Sequence, residues 1–163
     1  MTSSRAFRDN EATRHNAWCN HLQRLDQCLW EGQGARTSSV AFRGTEATKF
    51  EDIAADLKAW KVKSDTKGRV HAGFKESCDD LYDEILGWIV QNATNKKIVV
   101  TGHSLGAAIA TLFASRIKAD ELYTFGSPRV GNRTFVKTFT TPHWRFVNNN
   151  DIVTKVPPIP FYC

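Results

Sequence analysis

The chain has 163 residues, 41% of them apolar and 24% charged, with a formal net charge of +5 and a pI of about 9.1. That composition suits one globular domain with a real core. It excludes a membrane helix, since no apolar run nears the roughly 20 residues one needs, and the scattered, acid-interleaved basic residues make nucleic acid the weaker partner and an anionic lipid surface the stronger.

The N-terminus, MTSSRAFRDNEATRHNAW, has no apolar signal-peptide core, so the expectation is a soluble chain, cytoplasmic or a mature exported form. In residues 11–30, Trp18, Leu22, Leu25 and Leu29 recur at helical spacing, and GQG (32–34) ends the pattern. SSVAF (38–42) reads as a short strand leading into RGT. Phe50, Ile53, Leu57 and Trp60 fall on one helical face, and TKGRV (66–70) reads as a loop entering a strand. Residues 73–93 read as a long helix with Phe74, Cys78, Leu81, Ile85 and Ile89 inward.

KIVVTG (97–102) is a continuous apolar strand that suits a central position, and LGAAIATLFASRIK (105–118) is a helix of small residues. ELYTFG (121–126) and RFVN (145–148) complete the strands, and prolines end regular structure after NNDIVTKV. Strands alternating with helices predict an α/β fold with a mostly parallel sheet and helices on both faces. One domain is expected over 1–163, with 1–37 as an N-terminal helical segment. Cys19, Cys28, Cys78 and Cys163 form no CxxC pair and no metal spacing, and free thiols are the favoured reading.

The chemistry concentrates at Gly102, His103, Ser104, Leu105 and Gly106, a G-x-S-x-G pattern between an apolar strand and a helix. A serine there stands on a tight turn at the strand's carboxyl end. The flanking glycines let strand and helix approach, and the helix N-terminus favours a developing oxyanion, with the Leu105 N–H as one donor. An ordinary glycine turn is the bland alternative, and a phosphate-binding turn is the poorer one because neither GxGxxG nor a Walker lysine is present.

Together with VAFRGT (40–45), VHAGF (70–74), YTFGSPRVGN (123–132) and FVNNNDIVTKVPP (146–158), the elbow resembles class 3 lipases, the fungal-lipase-like family of α/β-hydrolases, from about residue 38 to residue 160. The resemblance implies that Ser104 is a nucleophile and Asp151 the triad acid. It implies that Thr45 supplies an oxyanion-hole N–H and hydroxyl beside Leu105, with no metal or organic cofactor. Read alone, Asp151 would be a turn residue and Thr45 a helix N-cap.

The resemblance also implies a base histidine after the acid, and no histidine follows Asp151 in these 163 residues. His143 precedes the strand that delivers Asp151, which puts it at the wrong end of the sheet as a surface loop residue. His103 reads as a packing or hydrogen-bonding residue pointing away from the elbow, His71 as structural, and His15 and His21 as solvent-facing. The expectation is a core lacking its histidine loop, truncated at the C-terminus, with feeble esterase activity through the oxyanion hole.

Phe50, Ile53 and Leu57 lie where this family often places a lid or acyl contact, though a core-facing helix is the plainer reading. The first functional expectation is a carboxylic-ester hydrolase, a lipase or esterase acting on triacylglycerol or phospholipid acyl esters at a lipid–water interface. The alternative is a catalytically impaired lipase-like scaffold that binds acyl ligands without efficient turnover.

Overall fold

The computed structural model describes residues 36–44 and 60–157, and the backbone alone of 29–33. The expectations that fall on residues 1–28 and 45–59 lie outside the described residues, including the N-terminal helical stripe from Trp18 to Leu25, Thr45, and Phe50, Ile53 and Leu57.

Five strands form the main sheet in the order β1-β2-β5-β6-β7. The edge strand β1 (Leu29–Gln33) pairs antiparallel with β2 (Thr37–Phe42). From there β2, β5 (Lys97–His103), β6 (Glu121–Phe125) and β7 (His143–Phe146) pair in parallel. A separate antiparallel pair joins β3 (Lys61–Lys63) to β4 (Arg69–His71). The connecting helices are α1 (Ala72–Asn92), α2 (Leu105–Ile117) and the short α3 (Arg133–Thr138).

Strand alternation decides which residues meet the helices. Val40, Val100 and Leu122 stand in one register row, and each is 1% exposed or less. They lie under α2, whose residues Leu105 to Ala114 are all buried. Small side chains at Gly106, Ala107, Ala108 and Ala110 let this helix sit close to the sheet. Burying large groups such as Phe74, Ile85, Ile109 and Phe113 stabilises by about 1.5–3 kcal/mol each before entropy is counted.

Outside α2, α1 packs through Phe74, Cys78, Leu81, Ile85 and Trp88. The expected Ile89 is only partly buried, and Trp88 takes the inward position one residue earlier. Asp65, Lys75, Asp79 and Arg116 tie the β3–β4 turn to both helices as a charged network. Beneath it Cys78 is fully buried and unpaired with any sulfur, and burial pushes its thiol up to about 12.

The described helices cover one face of the sheet. On the opposite face, Tyr123 stacks on Trp144 and Phe125 on Phe146, each pair with centroids 4.9 Å apart. All four residues of β7 are exposed.

Three boundaries differ from expectation. Residues 29–33 form strand β1, so the helical pattern read through residue 30 does not extend to Leu29. β7 begins at His143 and ends at Phe146, two residues earlier than read, because its pairing with Leu122 to Phe125 extends β6's own register. His143 is therefore a strand residue, not a loop residue. Trp60 lies outside any helix and is 80% exposed, so it does not continue an apolar helical stripe.

Candidate active site

β5 ends at His103, and α2 begins at Leu105. Ser104 between them adopts φ 53° and ψ −125°, a conformation non-glycine residues adopt only at about 1–3 kcal/mol cost. Two backbone contacts hold it there. Its N–H donates to Phe125 O at 2.9 Å, and its carbonyl accepts from Ala107 N at 3.0 Å. The side chain makes no capping bond to its own helix, so the hydroxyl is not committed to structure.

Gly102 and Gly106 make the turn possible. A Cβ on Gly102 would lie 2.6 Å from the Gly106 carbonyl carbon, and one on Gly106 would lie 2.5 Å from Arg43 O. Strand, turn and helix are thus in backbone contact. Leu105 is the first residue of α2, where the N–H groups of the first turn have no intrahelical acceptor and the helix dipole is positive.

Asp151 arrives from β7 through the exposed stretch Val147 to Asn150. Its N–H donates to Asn148 O at 3.0 Å, and its Oδ1 accepts the Val153 N–H at 2.9 Å. Its carbonyl accepts from the Thr154 hydroxyl at 2.8 Å. These bonds fold Val153–Lys155 into a single 3₁₀ turn and fix the carboxylate. Oδ2 faces Gly126, where a Cβ would lie 2.8 Å away, and Gly126 itself has φ +58°. The GSPRVGN loop packs beside Asp151. Arg145 donates to Ser127 O at 2.7 Å, and Arg129 donates to Lys155 O and Pro157 O.

A cleft of about 600 Å³ opens at this end of the sheet, lined by His103, Phe125, Phe146, Val147, Asn150 and Asp151. His103 is the residue that the sequence reading misplaced. It is exposed, not packed, and it shares the cleft with the acid. The assembled sheet sets its direction: Val100 and Gly102 point inward along β5, so Val99, Thr101 and His103 point out.

The other described histidines lie elsewhere. His71 is buried with its ring 4.3 Å from that of Phe74, and burial holds its pKa below the ordinary value. His143 sits at the start of β7 with Nε2 2.7 Å from the Thr124 hydroxyl. Although much of its surface is exposed, desolvation against β6 and then the Arg145 charge lower its pKa. No cluster of His, Cys, Asp and Glu suited to a metal ion occurs among the described residues. No helix among them is long and apolar enough to cross a membrane.

The family model described as Lipase (class 3) matches residues 39–161. The chain belongs to the class 3 lipase family. The lipase of Rhizomucor miehei is 30% identical over 161 residues, covering 88% of this chain and 44% of that protein. A secreted mono- and diacylglycerol lipase of Fusarium solani is 40% identical over 102 residues, covering 56% of this chain and 31% of that one. A solved triacylglycerol lipase whose catalytic centre is a serine protease triad superposes with a TM-score of 0.68 at 33% identity, covering 82% of this chain and 57% of that chain. This class 3 lipase chain thus spans less than half the length of those two curated relatives. The parallel sheet and elbow described above are the α/β-hydrolase fold of the family.

Proposed function

We propose that this chain carries the nucleophile and acid of a carboxylic-ester hydrolase acting on lipid acyl esters, with Ser104 attacking and Asp151 as the acid. One observation carries the reading: Ser104 is held at a strained turn with an uncommitted hydroxyl, at the sheet edge where Asp151 Oδ2 faces the open cleft beside Gly126. Strain of this kind at a strand–helix junction serves to project a side chain, and the packing of Gly102 and Gly106 maintains it.

In the proposed reaction Ser104 Oγ adds to the ester carbonyl carbon. The resulting oxyanion accepts the Leu105 N–H and, from the family resemblance, the Thr45 N–H and hydroxyl. The alcohol leaves, and water releases the acid from acyl-Ser104. Glycerides are supported as substrates by the glyceride lipases among the relatives.

The test is hydrolysis of p-nitrophenyl butyrate and octanoate by this chain, with Ser104→Ala alongside. Turnover that falls at least about 10²-fold in the variant supports the reading. Turnover unchanged by the substitution, or none at all, overturns it and leaves a scaffold that binds acyl ligands.

A further inference from the structure

The cations are scattered along the sequence, and the fold gathers five of them. Lys63 of β3 and Arg69 of β4 are register partners in the antiparallel pair, so their side chains leave it on the same face. Lys67 lies in the turn between these strands. The pair is tied to the start of α3: Arg69 N donates to Asn132 Oδ1 at 3.1 Å, and Asn132 N donates to Arg69 O at 2.9 Å. Arg133 and Lys137 stand four residues apart on α3 and share a face, while the buried Phe135 between them turns the other face inward. All five cations are exposed.

Among the described residues nothing neutralises them. Residues 122–150 hold no Asp or Glu. Asp65, the acid in the β3–β4 turn, is taken by Lys75 and Arg116. No described carboxylate forms an ion pair with any of the five. Like charges directly across a strand pair, as Lys63 and Arg69 are, repel one another until an anion lies over both. The acids collect elsewhere, with Glu76, Asp80, Asp83 and Glu84 exposed along α1. A negatively charged plane thus attracts one side of the molecule and repels another, which sets an orientation.

Apolar side chains stand among these cations. Trp60, just ahead of β3, is 80% exposed, Val136 of α3 is 48% exposed, and Val62 of β3 is 37% exposed. Cations around an exposed tryptophan and aliphatic groups suit a bilayer surface, with charge at the phosphates and apolar groups in the interfacial layer. Nucleic acid fits less well, because valines offer no ring on which a base can stack. Nor is this surface the mouth of the cleft. Thr66 Oγ1 lies 3.2 Å from Ser115 Oγ near the far end of α2, and the helix rises about 16 Å between Ser104 and Ser115.

We propose that the β3–β4 pair and α3 form a docking surface for anionic phospholipid, separate from the cleft at Ser104. Headgroup phosphates lie over Lys63, Lys67 and Arg69 and over Arg133 and Lys137, and Trp60 enters the interfacial layer. Docking needs no turnover, so it stands independently of the reading of Ser104 as nucleophile.

The experiment is co-sedimentation of the 163-residue chain and its Ser104→Ala variant with vesicles of phosphatidylcholine, alone or with about 30 mol% phosphatidylglycerol. Thermal melts accompany every variant. The expected result is binding to the anionic vesicles that is at least about tenfold weaker on phosphatidylcholine alone and weaker again near roughly 0.5 M salt. Lys63→Gln with Arg69→Gln, and Arg133→Gln with Lys137→Gln, each weaken it about 30-fold, since one cation at an anionic surface contributes about fivefold. Arg69→Lys binds as the parent does. Arg36→Gln with Lys96→Gln, where β2 and β5 begin, removes the same net charge and also leaves binding at the parent level.

No vesicle binding, or equal binding to both compositions, overturns the proposal. So does a loss in the Arg36 and Lys96 control that matches the losses in the two pairs, because net charge alone then accounts for binding. Tighter binding to a single-stranded oligonucleotide than to anionic vesicles at the same salt gives the surface to nucleic acid and overturns it. Loss of binding in Ser104→Ala puts the lipid in the cleft and overturns it while leaving the hydrolase reading intact. Unchanged binding in a chain that hydrolyses no ester supports docking although the hydrolase reading fails. If either paired variant melts early, Lys67→Gln in the exposed turn decides: about fivefold weaker binding supports the proposal, and parent-level binding overturns it.

Discussion

Ser104 and Asp151, the proposed nucleophile and acid, are held by different physics. Around Ser104 the constraint is steric and made of backbone: Gly102 against Gly106, Gly106 against Arg43, and the Ser104 N–H on Phe125. Around Asp151 the constraint is polar and made of single hydrogen bonds in an exposed loop, from Val153, Thr154 and Arg145. A steric lock tolerates almost no substitution, whereas a polar scaffold yields gradually as bonds are removed. The half of the site that must project a strained side chain is built on the core, and the half that supplies charge is built on a loop.

Two glycine substitutions break this comparison at its two ends. Gly106→Ala puts a Cβ 2.5 Å from Arg43 O, a backbone atom that cannot swing aside. It is expected to destabilise the chain by about 3 kcal/mol, the upper end of overpacking costs, read as a lowered urea midpoint. Gly126→Ala meets mainly the Asp151 carboxylate, a movable side chain, at 2.8 Å. Its expected cost is smaller, about 1–2 kcal/mol for a left-handed residue at φ +58°. Its larger effect is on function, because Oδ2 must move away from the cleft. Equal destabilisation by the two substitutions would show that the acid loop is as sterically fixed as the elbow, and the contrast would fail.

Much of this was legible in the sequence because it depends on short-range pattern. The G-x-S-x-G spacing states the steric requirement directly, and the structure meets it with a positive φ at Ser104. The inner stripe Phe74, Cys78, Leu81 and Ile85 follows helical periodicity, so it was readable, while Trp88 displaced Ile89 because an α-helix does not keep a strict four-residue step. What failed needed partners distant in sequence. Leu29 looks helical among its neighbours and becomes a strand through pairing with Phe42. His143 looks like a loop residue and enters β7 through its pairing with Leu122. His103 was misassigned for another reason: its direction follows from which face of β5 the helices cover, and that is a property of the assembled sheet.

Trapping the acyl intermediate tests the central claim most directly. The chain is mixed with p-nitrophenyl butyrate, quenched in acid, digested and mapped by mass spectrometry. The account predicts a butyryl adduct on the peptide that contains Ser104, absent from Ser104→Ala. An adduct on another residue, or hydrolysis without any adduct at Ser104, would contradict it.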